Sequence, residues 1–379
     1  LRDAKRREVV SFKESAMPAR DGNSLVLTID EVIQHITETE VDRIVELYKP
    51  TAVSIVLVVP KTGEILALAN YPVFDPNNPE DVTKDFVRNR TITDSFEPGS
   101  VFKIVTASAA LEENAVDFDT EVFCENGSYK VGKRILHDYR PYGKLKFREV
   151  IEKSSNIGTA KVAEILGKEK LAAYIEKFGF NNVTGIDLPG EVSGIMRDPS
   201  GWSYVDMTTV PMGQGIAVTN LQLVMAISAI ANGGLLMRPY IVQKFINEEG
   251  DLIRTTKPEI IRRILSKKTS GEVRELLEGA VERGTGKQAK LSNFTSGGKT
   301  GTAQKVRPLG GYYKKKYIAS FIGFAPINNP EIAIAVMVDD PKGKYFGGQV
   351  AAPAFKNIAE KVLSYMEIEN DKEKSKKSS

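Results

Sequence analysis

Ser100 and Lys103 have the types and spacing of an activated nucleophile. The segment EPGSVFKIV, residues 97–105, places the lysine three positions after the serine, and the apolar run that follows predicts a buried helix. Pro98 and Gly99 suit a chain that enters a helix, where positions i and i+3 share a face. A buried lysine loses its proton readily, so Lys103 could deprotonate the serine. The spacing alone leaves an alternative, a serine helix cap beside a lysine that reaches the surface.

A second polar cluster lies in EKSSNIG, where Ser154, Ser155 and Asn156 separate two helical patterns. Their hydroxyl and amide groups could take part in catalysis beside the serine and lysine. Helix capping would also explain these residue types without any catalytic role.

A third polar segment, SGGKTGTAQKV, occupies residues 296–306. Its glycines around Lys299 allow a close backbone approach, as an edge strand needs when a peptide-like ligand pairs along it. The same short patterns recur elsewhere, S-x-x-K at 296–299 and K-T-G at 61–63. Two glycines disfavour a helix in the first copy, and the second lies in a turn between apolar strands, so we interpret both as structural.

The elements that must position these groups follow from the periodicity of the chain. Strand patterns occur near both ends, and the middle, from about residue 102 to 282, is mainly helical. The strand candidates are residues 24–30, 51–59, 64–70, 299–306, 317–325 and 331–339, and helices are expected over 31–49 and 350–366. The sequence predicts an α+β fold, with an antiparallel sheet of about five strands drawn from both chain ends, flanked by terminal helices and interrupted by a large helical insert.

The composition excludes several classes of protein. The 379 residues carry 52 basic and 49 acidic side chains, a net charge of +3, which does not suggest a nucleic-acid partner. Cys124 is the only cysteine and there are two histidines, so an internal disulfide is excluded and a Cys/His metal cluster is not expected. No glycine-rich phosphate loop follows a strand pattern. We therefore expect no metal and no cofactor.

His137 and Asp138 raise the possibility of a Ser-His-Asp triad. Adjacent residues do not easily act in series, so ILHDYRPYG is interpreted as a loop with structural hydrogen bonds.

Taken in order, S-V-F-K at 100–103, S-S-N at 154–156 and K-T-G-T at 299–302 resemble the three motifs of the penicillin-recognising serine enzymes. The resemblance runs from about Val26 to Tyr365 and includes MGQGIAVTNLQL and GGQVAAPAF. The chain is similar to the transpeptidase domain of class B penicillin-binding proteins, and FEPGS resembles the cell-division, or septal, type. The resemblance implies a serine transpeptidase/β-lactamase-like fold.

The resemblance also implies a reaction, cross-linking of peptidoglycan stem peptides by D,D-transpeptidation. Ser100 would attack the penultimate D-alanine and release the terminal one, after which an amine of a neighbouring stem takes the acyl group. Lys103 would be the base for acylation. Ser154 would relay a proton to the leaving group, with its hydroxyl held by Lys103 and Lys299.

Binding of the substrate is assigned by the same resemblance. Asn156 would bind the substrate amide, and Thr300 and Thr302 its carboxylate or backbone, with Gly301 between them in the binding strand. The backbone N–H groups of Ser100 and Thr302 would form the oxyanion hole. β-Lactam antibiotics would acylate Ser100 as covalent inhibitors.

The predicted organisation treats the chain as a piece of a longer protein. It begins with Leu1, and it lacks both a run of about 18 apolar residues and the apolar core of a signal peptide. The predicted parts are a linker remnant over 1–24, a transpeptidase domain over 25–366 with a sheet subdomain (25–70 and 296–366) and a helical subdomain (71–295), and a disordered charged tail over 367–379.

The location and partners are also implied by the resemblance. The domain would lie on the extracytoplasmic face of the bacterial inner membrane, anchored by an N-terminal helix outside this sequence. A membrane glycan-strand polymerase and divisome proteins would be its partners through the missing regions.

Three other functions share the motifs: a serine β-lactamase, a non-hydrolytic β-lactam sensor and a non-catalytic scaffold. The glutamate motif E-x-x-L-N, with which class A β-lactamases activate water for deacylation, does not occur between residues 157 and 298. This favours the transpeptidase over a class A β-lactamase, while other β-lactamase classes deacylate by other groups.

Overall fold

The computed structural model describes residues 22–78, 80, 86–308 and 310–373. The α-helices of these residues are α1 (Glu31–Tyr48), α2 (Arg90–Thr93), α3 (Lys103–Glu112), α4 (Phe147–Glu152), α5 (Asn156–Leu166), α6 (Lys168–Lys177), α7 (Tyr204–Thr209), α8 (Asn220–Ala231), α9 (Lys267–Glu282) and α10 (Gly347–Tyr365). The strands are β1 (Ser24–Leu27), β2 (Ala52–Val58), β3 (Ile65–Tyr71), β4 (Glu121–Phe123), β5 (Ser128–Val131), β6 (Arg134–His137), β7 (Lys144–Lys146), β8 (Ile195–Met196), β9 (Ile216–Ala217), β10 (Leu235–Met237), β11 (Val242–Ile246), β12 (Leu252–Thr255), β13 (Ile260–Arg263), β14 (Gly297–Val306), β15 (Tyr312–Ala325) and β16 (Ile332–Asp339).

The central sheet is antiparallel and has five strands in the order β14-β15-β16-β2-β3. Two of its strands come from the start of the chain and three from the end, which confirms the predicted sheet. Strand β16 joins the two groups, with Val336 opposite Ile55 of β2. The order leaves β14, the strand that carries Lys299, at one edge.

Both faces of the sheet are covered, and β2 shows why its sequence is apolar throughout. Its seven residues are all buried. Successive side chains point to opposite faces. Val53, Ile55 and Leu57 pack with residues of α1 and α10, whereas Val56 and Val58 belong to the core formed with the helical insert.

Helix α8 is the part of the insert that packs directly on the sheet. All twelve of its residues are buried, which explains why its sequence shows no polar face. At its start Asn220 Nδ2 donates to the backbone oxygen and the hydroxyl of Ser54 on β2, each at 3.0 Å. These bonds give the buried Nδ2 group its partners and fix the end of the helix over the sheet.

One strand candidate lies outside the central sheet. Residues 24–30 were expected in it, but β1 pairs with β11, which in turn pairs with β12, in a separate three-stranded sheet. The described residues of this compact unit are 22–27 and 242–257, and residues 28–241 and 258–373 make up the other. The sequence gives a strand pattern but not the partner, which for β1 lies more than 200 residues away.

The insert also contains more strands than the sequence predicts. Strands β4 to β10 and β13 form short pairs, among them β5 with β6 and β4 with β7, whereas β11 and β12 belong to the three-stranded sheet with β1. Each spans two to five residues, too few to show a two-residue periodicity above the helical pattern around them.

The hairpin between β14 and β15 extends beyond the predicted strands. The segment RPLGGYYKKKY, residues 307–317, is long, basic and contains glycines, which predicts a flexible loop. This prediction is wrong from Tyr312 onward, where β15 begins and Tyr312 pairs with Val306. Backbone pairing in the hairpin therefore outweighs the preference of the lysines and glycines of this segment for a loop.

The two chain ends are described only in part. The predicted linker remnant lies outside the described residues as far as residue 21, and the predicted tail does so from residue 374. Before that point Asp371 accepts a 2.9 Å hydrogen bond from the backbone N–H of Thr295, so the first part of the predicted tail packs against the domain. The predicted boundaries of the two subdomains stay a prediction. Within the described ranges, no helix combines the length and the apolar character that crossing a membrane requires.

Candidate active site

Ser100 lies in a 3₁₀ helix, Gly99–Phe102, that leads directly into α3. Two glycines shape this entry. Gly99 has φ of +56°, and its N–H donates to the oxygen of Gly213 at 3.0 Å. A Cβ on Gly213 would lie 2.3 Å from the oxygen of Gly99, so only glycine fits there. The turn that carries the serine therefore packs directly against the 213–215 loop.

Lys103 begins α3, and its side chain is completely buried. Its Nζ donates to the backbone oxygen of Ser154 at 2.7 Å, to Asn156 Oδ1 at 2.8 Å and to Ser154 Oγ at 3.3 Å. Burial and, next, the nearby charge of Lys299 hold the pKa of Lys103 well below its ordinary value. The side chain therefore does not reach the surface, which removes the alternative that the spacing left open.

Ser154 receives hydrogen bonds from two lysines. Lys299, which lies 145 residues after Ser154 in the chain, donates from its Nζ to Ser154 Oγ at 2.9 Å. Lys299 is also completely buried, and burial lowers its pKa to about 7. A hydroxyl accepts two hydrogen bonds and donates one. When Lys103 is protonated and both lysines donate to this hydroxyl, the hydroxyl proton of Ser154 is free to pass to another acceptor.

Asn156 is the first residue of α5, and Asp138 holds that end of the helix. Asp138 Oδ1 accepts from the backbone N–H groups of Asn156 and Ile157, the latter at 3.1 Å, and Ser155 Oγ donates to Asp138 Oδ2 at 2.6 Å. Asn156 Nδ2 donates to the oxygen of His137 at 3.0 Å. The structural hydrogen bonds predicted for His137 and Asp138 are present, but residues 135–137 belong to β6 and not to the predicted loop. Ser155 caps α5 as its residue type suggests.

The edge strand β14 brings Lys299, Thr300, Gly301 and Thr302 beside the nucleophile. A Cβ on Gly301 would lie 2.9 Å from the oxygen of Pro98 and 2.3 Å from Ser320 Oγ, so glycine lets the strand pack on the segment before the serine. Beyond β14 the sheet order contains no further strand of the described residues. The free edge can pair with an extended peptide.

Thr285 is a residue of the site that the sequence analysis did not select. Its hydroxyl lies 2.7 Å from the Thr300 hydroxyl, and its N–H donates to the oxygen of Glu152 at 3.1 Å. Glu152 is two residues before Ser154 and forms an ion pair with Arg283 at 2.5 Å. This connection joins the S-S-N segment to the K-T-G-T strand behind the cleft. The only signal in the sequence is a threonine between two glycines shortly before β14.

The wall beyond the nucleophile is formed around Glu97. Glu97 Oε1 accepts from the N–H of Gly215 at 2.8 Å, and Oε2 accepts from the hydroxyl of Tyr312 at 2.9 Å. Burial raises the pKa of Glu97. The bond to Tyr312 attaches the β14–β15 hairpin to the segment that leads into Ser100.

The two other copies of the short motifs are structural, as interpreted from the sequence. Lys61 lies in the turn between β2 and β3 and forms an exposed ion pair with Glu331, and Gly63 has φ of +84°. Ser296 immediately precedes β14, so it shares no helical face with Lys299. Within the described ranges, no group of three or more His, Cys, Asp or Glu side chains could hold a metal ion.

Comparison with known sequences identifies a family and its members. Residues 53–360 match the family described as "Penicillin binding protein transpeptidase domain". The chain is 40% identical to stage V sporulation protein D of Bacillus subtilis over 361 residues, 94% of this chain and 56% of that protein. It is 34% identical to peptidoglycan D,D-transpeptidase FtsI of Escherichia coli over 359 residues, 94% of this chain and 59% of FtsI. The chain thus spans little more than half the length of these relatives.

Solved structures share the fold over nearly the whole chain. Penicillin-binding protein 3 of Mycobacterium tuberculosis complexed with aztreonam superposes with a TM-score of 0.86 at 34% identity, over 92% of this chain and 80% of that one. The transpeptidase domain of penicillin-binding protein 3 from Burkholderia pseudomallei gives 0.80 at 36% identity, over 91% of this chain and 97% of that one.

Proposed function

The chain belongs to the penicillin-binding protein transpeptidase family, and on that premise we propose that it is a peptidoglycan D,D-transpeptidase that works through an acyl-serine intermediate. The observation that carries the proposal is the position of Lys103. Its amine is buried, has a lowered pKa and starts the helix that follows Ser100 directly. A neutral amine in that place is a base for a serine hydroxyl.

Acylation would begin at Ser100. Its Oγ attacks the carbonyl carbon of the penultimate D-alanine, and its proton passes to Lys103 Nζ. The bond to the terminal D-alanine then breaks, and Ser154 gives its proton to the leaving nitrogen. Ser154 recovers a proton from Lys103 through their 3.3 Å contact, which returns the lysine to its neutral form.

The donor peptide would lie along the free edge of β14. The hydroxyl of Thr300 binds its terminal carboxylate, and Asn156 binds the amide next to the reacting carbonyl. The N–H groups of Ser100 and Thr302 stabilise the oxyanion, an effect worth about 3–4 kcal/mol for one such donor in other enzymes. Gly301 keeps the strand close enough to the nucleophile for both groups to reach the same carbonyl.

The acyl group would then be transferred to an amine of a second stem peptide. The amine attacks the ester carbonyl and loses a proton to Lys103; the bond between the carbonyl carbon and Oγ of Ser100 then breaks, and Lys103 returns the proton to Oγ. A serine β-lactamase would use water at this step. The absence of E-x-x-L-N between residues 157 and 298 supports the amine as acceptor.

Pure protein tests this assignment against the alternatives. With a chromogenic cephalosporin we expect one equivalent of rapid colour release and then negligible turnover. With a D-alanyl-D-alanine donor and an acceptor amine we expect amine-dependent release of D-alanine. Sustained turnover of the cephalosporin would make the protein a β-lactamase. Acylation without transfer would favour a sensor, and a failure to be acylated would favour a scaffold.

We further propose a septal role at the outer face of the bacterial inner membrane, with a membrane anchor, a glycan-strand polymerase and divisome proteins as partners of the complete protein. The FEPGS segment and the similarity to FtsI support it. The 40% identity to stage V sporulation protein D favours sporulation as a second candidate. A fluorescent fusion of the complete protein decides between them: a band at mid-cell in dividing cells supports the first, and recruitment only during sporulation the second.

A further inference from the structure

A cavity lies next to the turn that carries Ser100, and the proposed mechanism does not use it. Its volume is about 390 Å³, and its lining includes Arg134, Arg197, Asp206, Gly215 and Tyr312. Gly215 and Tyr312 are the two hydrogen-bond partners of Glu97, three residues before the nucleophile. The cavity therefore shares a wall with the active site.

The charges of the cavity favour an anion. Arg197 is paired with Asp206, which also accepts from the N–H and the hydroxyl of Ser203. Arg134, on β6, has no carboxylate of the described residues within ion-pairing distance. One of the two guanidinium groups is thus left uncompensated at the cavity. Arginine binds carboxylates by two parallel hydrogen bonds, a geometry that a lysine does not offer.

The direction of the donor peptide on β14 leads to this cavity. If Thr300 binds the terminal carboxylate and Thr302 the reacting carbonyl, the preceding residues of the donor run toward Val306. Val306 pairs with Tyr312, which lines the cavity. Val306 is four residues beyond Thr302 on the strand, about 13 Å of extended chain. The cavity is thus in reach of a donor residue a few positions before the acylated D-alanine.

We infer that this cavity is a subsite for a carboxylate-bearing residue of the donor stem peptide, with Arg134 as its specificity-determining residue. The inference rests on the proposed transpeptidase function. Arg197 lines the same cavity, but it forms an ion pair with Asp206, which already compensates its positive charge. The enzyme would then select donors by an acidic group remote from the reacting bond as well as by the terminal D-alanine.

Two donor peptides test the subsite. They end in the same acyl-D-alanine thioester and differ only in a carboxylate or a carboxamide on the stem residues that precede it. We expect kcat/KM for thioester cleavage to favour the carboxylate form by about tenfold, the contribution of one charge-assisted hydrogen-bonded pair. Arg134→Gln should bring the ratio close to one, and Arg134→Glu should make the carboxamide the better donor.

Lys133→Gln is the matched control, because Lys133 is exposed, as Arg134 is, and precedes it on the same hairpin, but does not line the cavity. It should keep the tenfold preference. All variants should be acylated by benzylpenicillin at the parental rate, since its phenylacetyl side chain carries no carboxylate for Arg134 to bind. A parental enzyme that cleaves both donors equally, or an Arg134→Gln variant that keeps the preference, would overturn the subsite.

Binding to Ser100→Ala protein separates this inference from the function on which it rests. Titration calorimetry with the corresponding D-alanyl-D-alanine peptides should show the same preference for the carboxylate without any catalysis. Equal affinity for the two peptides rejects the subsite even when the enzyme is an active transpeptidase. A carboxylate preference lost in Ser100→Ala/Arg134→Gln supports it even when acyl transfer fails.

Discussion

The Nζ atom of Lys299 lies 2.9 Å from Oγ of Ser154, although 145 residues separate them in the chain. Lys103 contacts the same hydroxyl from the other side at 3.3 Å. Two buried lysines with lowered pKa values thus converge on one serine. Such a shared hydroxyl can pass a proton between the nucleophile's base and a leaving group.

Incubation with a penicillin should add one covalent adduct, located by mass spectrometry in the peptide that contains EPGSVFK. Ser100→Ala should abolish the adduct, because the proposed nucleophile is gone. Ser296→Ala should leave it intact, since Ser296 occupies the copy of the motif that has no helical partner. An adduct on Ser154, Ser296 or Cys124 would contradict the assignment.

Lys103→Arg should lower the rate of acylation by at least about 10²-fold, since guanidinium stays protonated and cannot act as the base. Stopped-flow measurement with a chromogenic β-lactam gives the rate, and circular dichroism checks the fold. Lys153→Arg makes the same change on an exposed lysine of an i,i+4 ion pair and should have no effect. Near-parental acylation by a folded Lys103→Arg protein would show that another group is the base.

Asp138→Asn should shift the acidic limb of the acylation pH profile to lower pH. The negative charge of Asp138 raises the pKa of Lys103 against the stronger effect of burial. Its removal lowers that pKa further, so the neutral amine persists at lower pH. Asparagine can still accept from the backbone at the start of α5. Asp119→Asn, at an exposed position, serves as the control and should leave the profile unchanged. If the acidic limb of the Asp138→Asn profile also stays at the parental pH, Asp138 has no influence on the pKa of the base.

Thr285→Val should reduce the rate of acylation by peptide donors about threefold to tenfold, the effect of losing one hydrogen bond. Valine keeps the shape of the side chain but leaves the Thr300 hydroxyl without its 2.7 Å partner. Thr285→Ser restores the hydroxyl and should recover the rate. A loss that appears in kcat/KM for donors with a free terminal carboxylate, but not for their carboxamides, identifies Thr285 as a positioning residue for Thr300.

Replacement of Lys299 should change the pH dependence of stability. Its pKa is about 7 in the folded protein against 10.5 without burial, so between these values the unfolded chain binds a proton that the folded one does not. The contribution of Lys299 to the parent's free energy of unfolding should therefore increase as pH rises from about 7 to 10.5. This increase is lost as pH falls back to about 7. Lys299→Met lacks this dependence.

Urea denaturation at several pH values measures this difference. The stability of Lys299→Met relative to the parent should be greatest near pH 7 and should shrink toward pH 10. Lys315→Met, which changes an exposed lysine on β15, should show a constant difference. A constant difference for Lys299→Met as well would mean that Lys299 titrates as an exposed lysine does.

The sequence by itself determined what depends on short spacing. A serine and a lysine three residues apart at the start of a helix share a face, and the apolar runs at 51–59 and 331–339 predict strands. The order of the three motifs was enough to identify the family that residues 53–360 match. Whether Lys103 is a base or a surface lysine stayed open, because the spacing of residues in the sequence does not show whether a side chain is buried.

Only the tertiary structure decided which distant groups meet. Lys103 is buried where Ser154 and Asn156, more than 50 residues away, accept its hydrogen bonds, and the carboxylate that holds the start of α5 comes from Asp138, on another segment of the chain. Thr285 reaches Thr300, and β1 finds its partner in β11, through pairings that leave no local periodicity. Local patterns follow from backbone geometry within a few residues, whereas the pKa of a lysine or the partner of a strand depends on what the folded chain packs around it.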